Sequence, residues 1–168
     1  MQKPPLVAVD TNFPLLLADE DELALDALEV IRTRLPGAQI IVPPTAVAEL
    51  AHHMGHHPQP SFRALAAQAF AQLRPVWRFH TPILTALHDD LAANAARRVR
   101  EAGLLPFEEC NDALILAESA VLNSVLLVSE DSHLLAMDHW RLSLLFRELD
   151  LPVPLVTSPR DLIRKFYH

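Results

Sequence analysis

The sequence predicts an α/β domain built on a mainly parallel central sheet, and three observations carry that prediction. Short apolar runs rich in β-branched residues recur along the chain: LVAV before Asp10, QIIV before Pro43, and SVLLV before Ser129. Longer stretches with apolar residues at three- and four-residue spacing separate them. Strands that alternate with helices in this way pair in parallel and are covered on both faces. At 168 residues the chain is expected to form a single domain over 1–168, long enough to bury a substantial core.

Leu6–Asp10 reads as the first strand, closing in a polar turn. Asp19 to Gly37 follows as a helix, with Leu23, Ala27, Val30 and Ile31 on one face. Acids fill its first turn and arginines its last, as the helix dipole favours, and Gly37 closes it. QIIVPP is a second buried strand, after which Thr45 is placed to cap a helix carrying Glu49 just past its first turn. HHPQP reads as a loop, and SFRALAAQAFAQLR as an amphipathic helix ended by Pro75. VWRFH is a candidate short edge strand, and Thr81 with Pro82 signals a helix that runs to Glu101 and closes at Gly103. CNDALILAESAVLN is nearly all apolar and hence a buried helix, and SVLLVSED is the clearest strand. Met137–Asp150 reads as helical, PVPLV as a last strand, and SPRDLIRKF as a closing helix capped by Ser158.

Composition narrows the function classes. Half of the residues are hydrophobic (51%) and 21% are charged, which is ordinary globular material. No apolar run approaches the roughly 18 residues that span a bilayer, and MQKPPLVAVD lacks the build of a signal peptide, so a cytoplasmic protein without a membrane anchor is expected. The single cysteine, Cys110, forms no internal disulfide, which fits a reducing compartment. A net charge of −7 argues against a protein that coats nucleic acid through bulk electrostatics.

The acids point to chemistry. Open parallel sheets bind ligands at the carboxyl ends of their strands. Asp10 and Asp131 stand at two such ends, Asp112 opens the buried helix leading into SVLLV, and Glu49 lies one turn into the helix after the second strand. Four carboxylates from distant parts of the chain are thereby sent to one rim. Ionised together they repel, unless a cation neutralises them. All-oxygen ligands suit Mg²⁺ or Mn²⁺, and one or two such ions about 4 Å apart can align a water against a phosphodiester. Phosphoryl-transfer chemistry follows from that set. The bland reading is that each acid caps a helix in solvent, which explains any one of them better than all four.

VAVDTN, PPTAVAEL, NDALILAESAVLNSVLLVSED and the closing VTSPRDLIRKF together resemble the PIN-domain family, the nuclease fold of VapC-type toxins. The resemblance implies a five-stranded parallel sheet flanked by helices and a Mg²⁺- or Mn²⁺-dependent endoribonuclease acting on single-stranded or structured RNA. It implies in-line hydrolysis that leaves a 5′-phosphate and a 3′-hydroxyl. Position by position it makes Asp10, Glu49, Asp112 and Asp131 the metal-binding and catalytic acids, with Asn12 and Ser129 supporting them. It also implies a small antitoxin partner and a homodimer. Two features depart from the family: Ser129 and His133 stand where threonine and an acid or asparagine are commoner, and the chain is longer than a minimal toxin.

The remaining candidates have two readings each. His52 and His56, like His53 and His57, have the i to i+4 spacing that chelates Zn²⁺ on a helix, but Gly55 and Pro58 argue for a solvated loop instead. Arg97, Arg98 and Arg100 either clamp RNA phosphates or answer the dipole at a helix C-terminus. Glu108 and Glu109 are a fifth acid or a loop and cap. The rival to a nuclease is a catalytically weak or inactive PIN domain that binds RNA or a partner. A phosphatase of the Asp-x-Asp type is excluded, because the first strand ends in Asp10-Thr11-Asn12 with no second acid.

Overall fold

Residues 3–166 are described in a computed structural model of the chain, so the two residues at each end of the expected 1–168 domain lie outside the description. Four parallel strands lie in the order β2-β1-β3-β4, where β1 is Leu6–Val9, β2 Gln39–Ile41, β3 Ser124–Val128 and β4 Leu155–Thr157. Val7, Ala8 and Val9 of β1, with Leu127 and Val128 of β3, are buried, as expected of central strands covered on both sides.

The connections supply nine helices among the described residues: α1 (Asn12–Ala18), α2 (Glu22–Arg34), α3 (Pro44–His56), α4 (Pro60–Gln72), α5 (Ala86–Glu101), α6 (Cys110–Val121), α7 (Ser132–Leu135), α8 (His139–Glu148) and α9 (Pro159–Phe166). α5 packs on α6, α3 on α4, and α2 on α9, and their buried faces join the strands in one hydrophobic cluster. None of these helices is long and apolar enough to cross a membrane.

The sheet has four strands where about five were expected. VWRFH contributes a single bridge, His80 to Ile41, in which the His80 amide donates to Ile40 O and the Val42 amide to His80 O, each at 2.8 Å. Arg78 sits in the left-handed region (φ 58°) just before this bridge and Pro82, which has no amide hydrogen, stands just after it, so the ladder cannot extend either way. The same extended passage delays α5. It begins at Ala86, not at Pro82, and Thr85, not Thr81, caps it by accepting from the His88 amide.

Three other local expectations change. Asn12–Ala18 is a helix directly after β1, where a polar turn was expected. α3 runs through the histidines to His56, and Gly55 lies inside it. Its packing against α4 and α6 outweighs the ~1 kcal/mol that a mid-helix glycine costs. Thr45 is the second residue of α3, so it does not cap that helix: its hydroxyl donates away from the helix instead of accepting from it.

Candidate active site

The carboxyl edge of the sheet holds the expected acids. Asp10 follows β1 and is almost fully buried, extending the strand pairing through its amide to Val128 O (3.0 Å). One carboxylate oxygen accepts from the Thr11 amide and the other from the Ser129 hydroxyl at 2.7 Å. Ser129 in turn accepts from the Asp131 amide at 3.0 Å, so one hydroxyl couples the ends of the two central strands. Burial raises the Asp10 carboxyl above its ordinary range; the Ser129 and Thr11 hydrogen bonds oppose this, and the charges of Glu49 and Asp131 add to it.

Asp131 is at once a site acid and a cap. Its Oδ1 accepts from the amides of His133 and Leu134, at 2.8 and 3.0 Å, and so starts α7. The bland reading of strand-end acids is therefore satisfied for one of its oxygens.

Glu49 comes from α3 and is tied to the neighbours of two other acids. The Thr11 hydroxyl donates to its Oε2, and the Asn111 amide group donates to its Oε1 at 2.7 Å. Thr11 follows Asp10 and Asn111 precedes Asp112, so the three acids are linked through adjacent neutral side chains. Asn12, the residue expected to support the acids, is exposed and is not among their donors in the described structure. It lines a groove of about 540 Å³ with Leu15, Leu16 and Phe62.

Asp112 lies in the first turn of α6 and is only half-buried. Burial, then the charges of Asp131 and Asp10, then Glu109 push its carboxyl up to about 8. Glu109 occupies the N-cap position of α6 without capping it by its side chain. Its carboxyl instead stands beside Asp112 and 3.4 Å from His133 Nδ1.

α3 and α6 are joined by an acid that sequence reasoning passed over. Glu118, buried in α6, accepts from the Thr45 amide at 3.0 Å and from the Thr45 hydroxyl at 2.7 Å. Pro43, at the N-cap of α3, has no side-chain acceptor, so Glu118 satisfies the open end of the helix that carries Glu49. A lone glutamate inside LILAESAV was the available signal: such an acid needs a buried partner.

The three arginines are not brought to the acids. Arg97 pairs with Glu101 at 2.8 Å, Arg98 with Glu148 at 2.6 Å, and Arg100 holds Phe107 and Cys110. The histidines stack along the end of α3, His52 on His56 at 4.7 Å and His57 on Phe62 at 4.1 Å. His52 and His53 share a cleft with Glu49 and Asn111, so this end of the helix borders the acids. Cys110 is exposed.

The donor set fits a hard divalent cation. Burial first, and then the charges of neighbouring carboxylates, raises both Asp10 and Asp112, and the acids gathered at the rim offer hard carboxylate oxygens. Among the described residues no three histidine, cysteine or acid side chains close tightly enough to enclose a metal by themselves. Mg²⁺ ordinarily keeps several waters and takes one or two carboxylates, so an open arrangement suits it.

A four-stranded parallel sheet in this order, flanked by helices, gives the chain a PIN-like fold, one it shares with solved VapBC structures. The chain superposes on VapBC2 from Rickettsia felis bound to a DNA fragment from their promoter (TM-score 0.61, 14% identity, 91% of this chain and 98% of that one). It superposes likewise on VapBC-1 from nontypeable Haemophilus influenzae (TM-score 0.58, 13% identity, 92% and 98%). No protein-family model matches the chain, and no curated protein matches it in sequence.

Proposed function

We propose that the chain is a Mg²⁺- or Mn²⁺-dependent endoribonuclease, acting as the toxin of a toxin–antitoxin pair in the cytoplasm. The observation that supports this most is the convergence of Asp10, Glu49, Asp112 and Asp131 from four segments onto one rim, where burial and then the neighbouring carboxylate charges raise Asp10 and Asp112. Asp10, Asp112 and Asp131 would hold the cation, and Glu49 would hold it or orient the attacking water. A bound divalent cation supplies charge neutralisation and Lewis acidity for in-line attack on a phosphodiester. The chain's own work is positional. Ser129 and Thr11 fix the Asp10 oxygens, Thr11 and Asn111 fix those of Glu49, and Asp112 gives up the proton it holds below about pH 8 when the cation enters.

The antitoxin part of the reading draws on the VapBC complexes and on the groove between α1 and α4, whose Leu15, Leu16, Leu23, Phe62 and Leu65 would seat apolar side chains of a partner chain. A homodimer belongs to the same reading and is checked by light scattering.

The test is cleavage of a labelled RNA pool by the wild type with Mn²⁺, by the wild type with EDTA, and by Asp112→Asn. Cutting that needs both the metal and Asp112 supports the nuclease. A folded protein that cuts nothing with any divalent metal would sink it in favour of a binding module.

A further inference from the structure

Phe107 is held in water by its surroundings. The loop before α6 is anchored by buried Leu104 and Leu105, yet it leaves the Phe107 ring 68% exposed. Exposure alone says little, but this ring is backed and clamped. The Arg100 guanidinium lies over one face, 5.0 Å from the centroid, which is cation–π distance. Arg100 Nη1 also donates to Phe107 O at 2.9 Å and to Cys110 Sγ at 3.2 Å, and the Cys110 thiol reaches back to Phe107 O at 3.9 Å. Arg100 Nε is buried without a partner, so the guanidinium is committed to this place at some cost. The loop thus presents one fixed, open aromatic face with a cation behind the other.

Its position gives that face a use. Cys110 is the first residue of α6 and Asp112 the third, so the clamp and the acid stand on opposite sides of one helical turn about 10 Å across. Single-stranded RNA exposes unstacked bases that settle on aromatic faces, whereas a duplex keeps its bases stacked internally. At roughly 3.4 Å per stacked nucleotide, a strand with its phosphate at the acids reaches this ring within a few nucleotides.

We propose that Phe107, backed by Arg100, is a stacking subsite for one unpaired base of the substrate, within a few nucleotides of the cleavage position. This rests on the ribonuclease reading and narrows its substrate to RNA that is single-stranded there.

The experiment is steady-state cleavage of a single-stranded oligoribonucleotide with Mn²⁺ by the wild type, Phe107→Ala and Phe107→Trp. One further set of substrates carries an abasic site walked along the strand. Phe107→Ala should raise KM about 5- to 100-fold, with kcat nearly unchanged and an unaltered Tm. Phe107→Trp should restore KM. One abasic position should weaken the wild type and leave Phe107→Ala indifferent. If the wild type cuts but Phe107→Ala keeps its KM and its sensitivity to every abasic position, the subsite is wrong and the nuclease stands. If the wild type cuts no RNA at all, both fall together.

Discussion

The two central strands and the two helices α3 and α6 each deliver a pair of acids to the same rim, and they hold them differently. Asp10 and Asp131 leave β1 and β3, which are adjacent and locked by backbone pairing, and a single hydroxyl, Ser129, bridges them. Glu49 and Asp112 ride on helices with no backbone bonds between them. Their relative position depends on side-chain ties: Thr11 and Asn111 to Glu49, and Glu118 to Thr45. A sheet fixes its acids by the ladder that makes it a sheet; a helix pair must spend extra residues to do so.

That contrast orders the expected losses. Replacing Thr11 by Val together with Asn111 by Ala frees both Glu49 oxygens and should lower kcat/KM by about 100-fold, the upper end for residues that orient metal ligands. Ser129→Ala should cost nearer tenfold, because Asp10 remains fixed by β1 and by the Thr11 amide. Both variants should melt within a few degrees of the wild type. A Ser129→Ala loss larger than that of the double variant would overturn the contrast.

The same division governs what the sequence reveals. β1, β3 and their acids were legible because a buried parallel strand is a contiguous apolar run, and an acid at its end is a local event. The ties of the helix pair join residues 38, 62 and 73 positions apart, and no local pattern says which residue Thr11, Asn111 or Glu118 pairs with. The resemblance pointed to Asn12, yet Thr11, at the N-cap of α1, is buried and Asn12 lies in solvent. α1 itself escaped because five of its seven residues are buried, which removes the amphipathic period that identifies a surface helix. The start of α5 was misplaced because the His80 bridge to Ile41 keeps the chain extended past Pro82, and that pairing is tertiary.

Glu118 offers a test through stability. Glu118→Ala leaves the Thr45 amide and hydroxyl without their acceptor at a part-buried helix end, which should cost roughly 1–3 kcal/mol, or several degrees of Tm. Glu118→Gln keeps an oxygen acceptor and should cost less. Because the tie also fixes α3 against α6, Mn²⁺ affinity measured by calorimetry should fall in Glu118→Ala, while Ala substitution at the exposed Arg97–Glu101 pair should change neither quantity measurably. Equal melting of Glu118→Ala and wild type would mean that water replaces the carboxylate and that the helices are held by packing alone.

The smallest effect is a pH slope, and it sets the helix-borne Asp112 against the cation the rim is suited to. Folding raises Asp112 from its ordinary 3.8 to about 8, so between those limits the folded protein keeps a proton that the unfolded chain has lost. The metal-free protein is therefore favoured by this group at low pH and loses that stability as pH rises through about 8. Asp10, raised for similar reasons, contributes with the same sign. Half-exposure of Asp112 moderates the slope, since solvent screens the charges that cause it. A cation needs the ionised carboxylate, so Mn²⁺ should raise Tm more at pH 8 than at pH 6. Asp112→Asn should flatten the metal-free slope and melt higher than the wild type at pH 8, because it removes the repulsion without removing the side chain. A metal-free Tm that climbs from pH 6 to pH 8 would show that the rim carries its negative charge without strain, and that no cation is needed to relieve it.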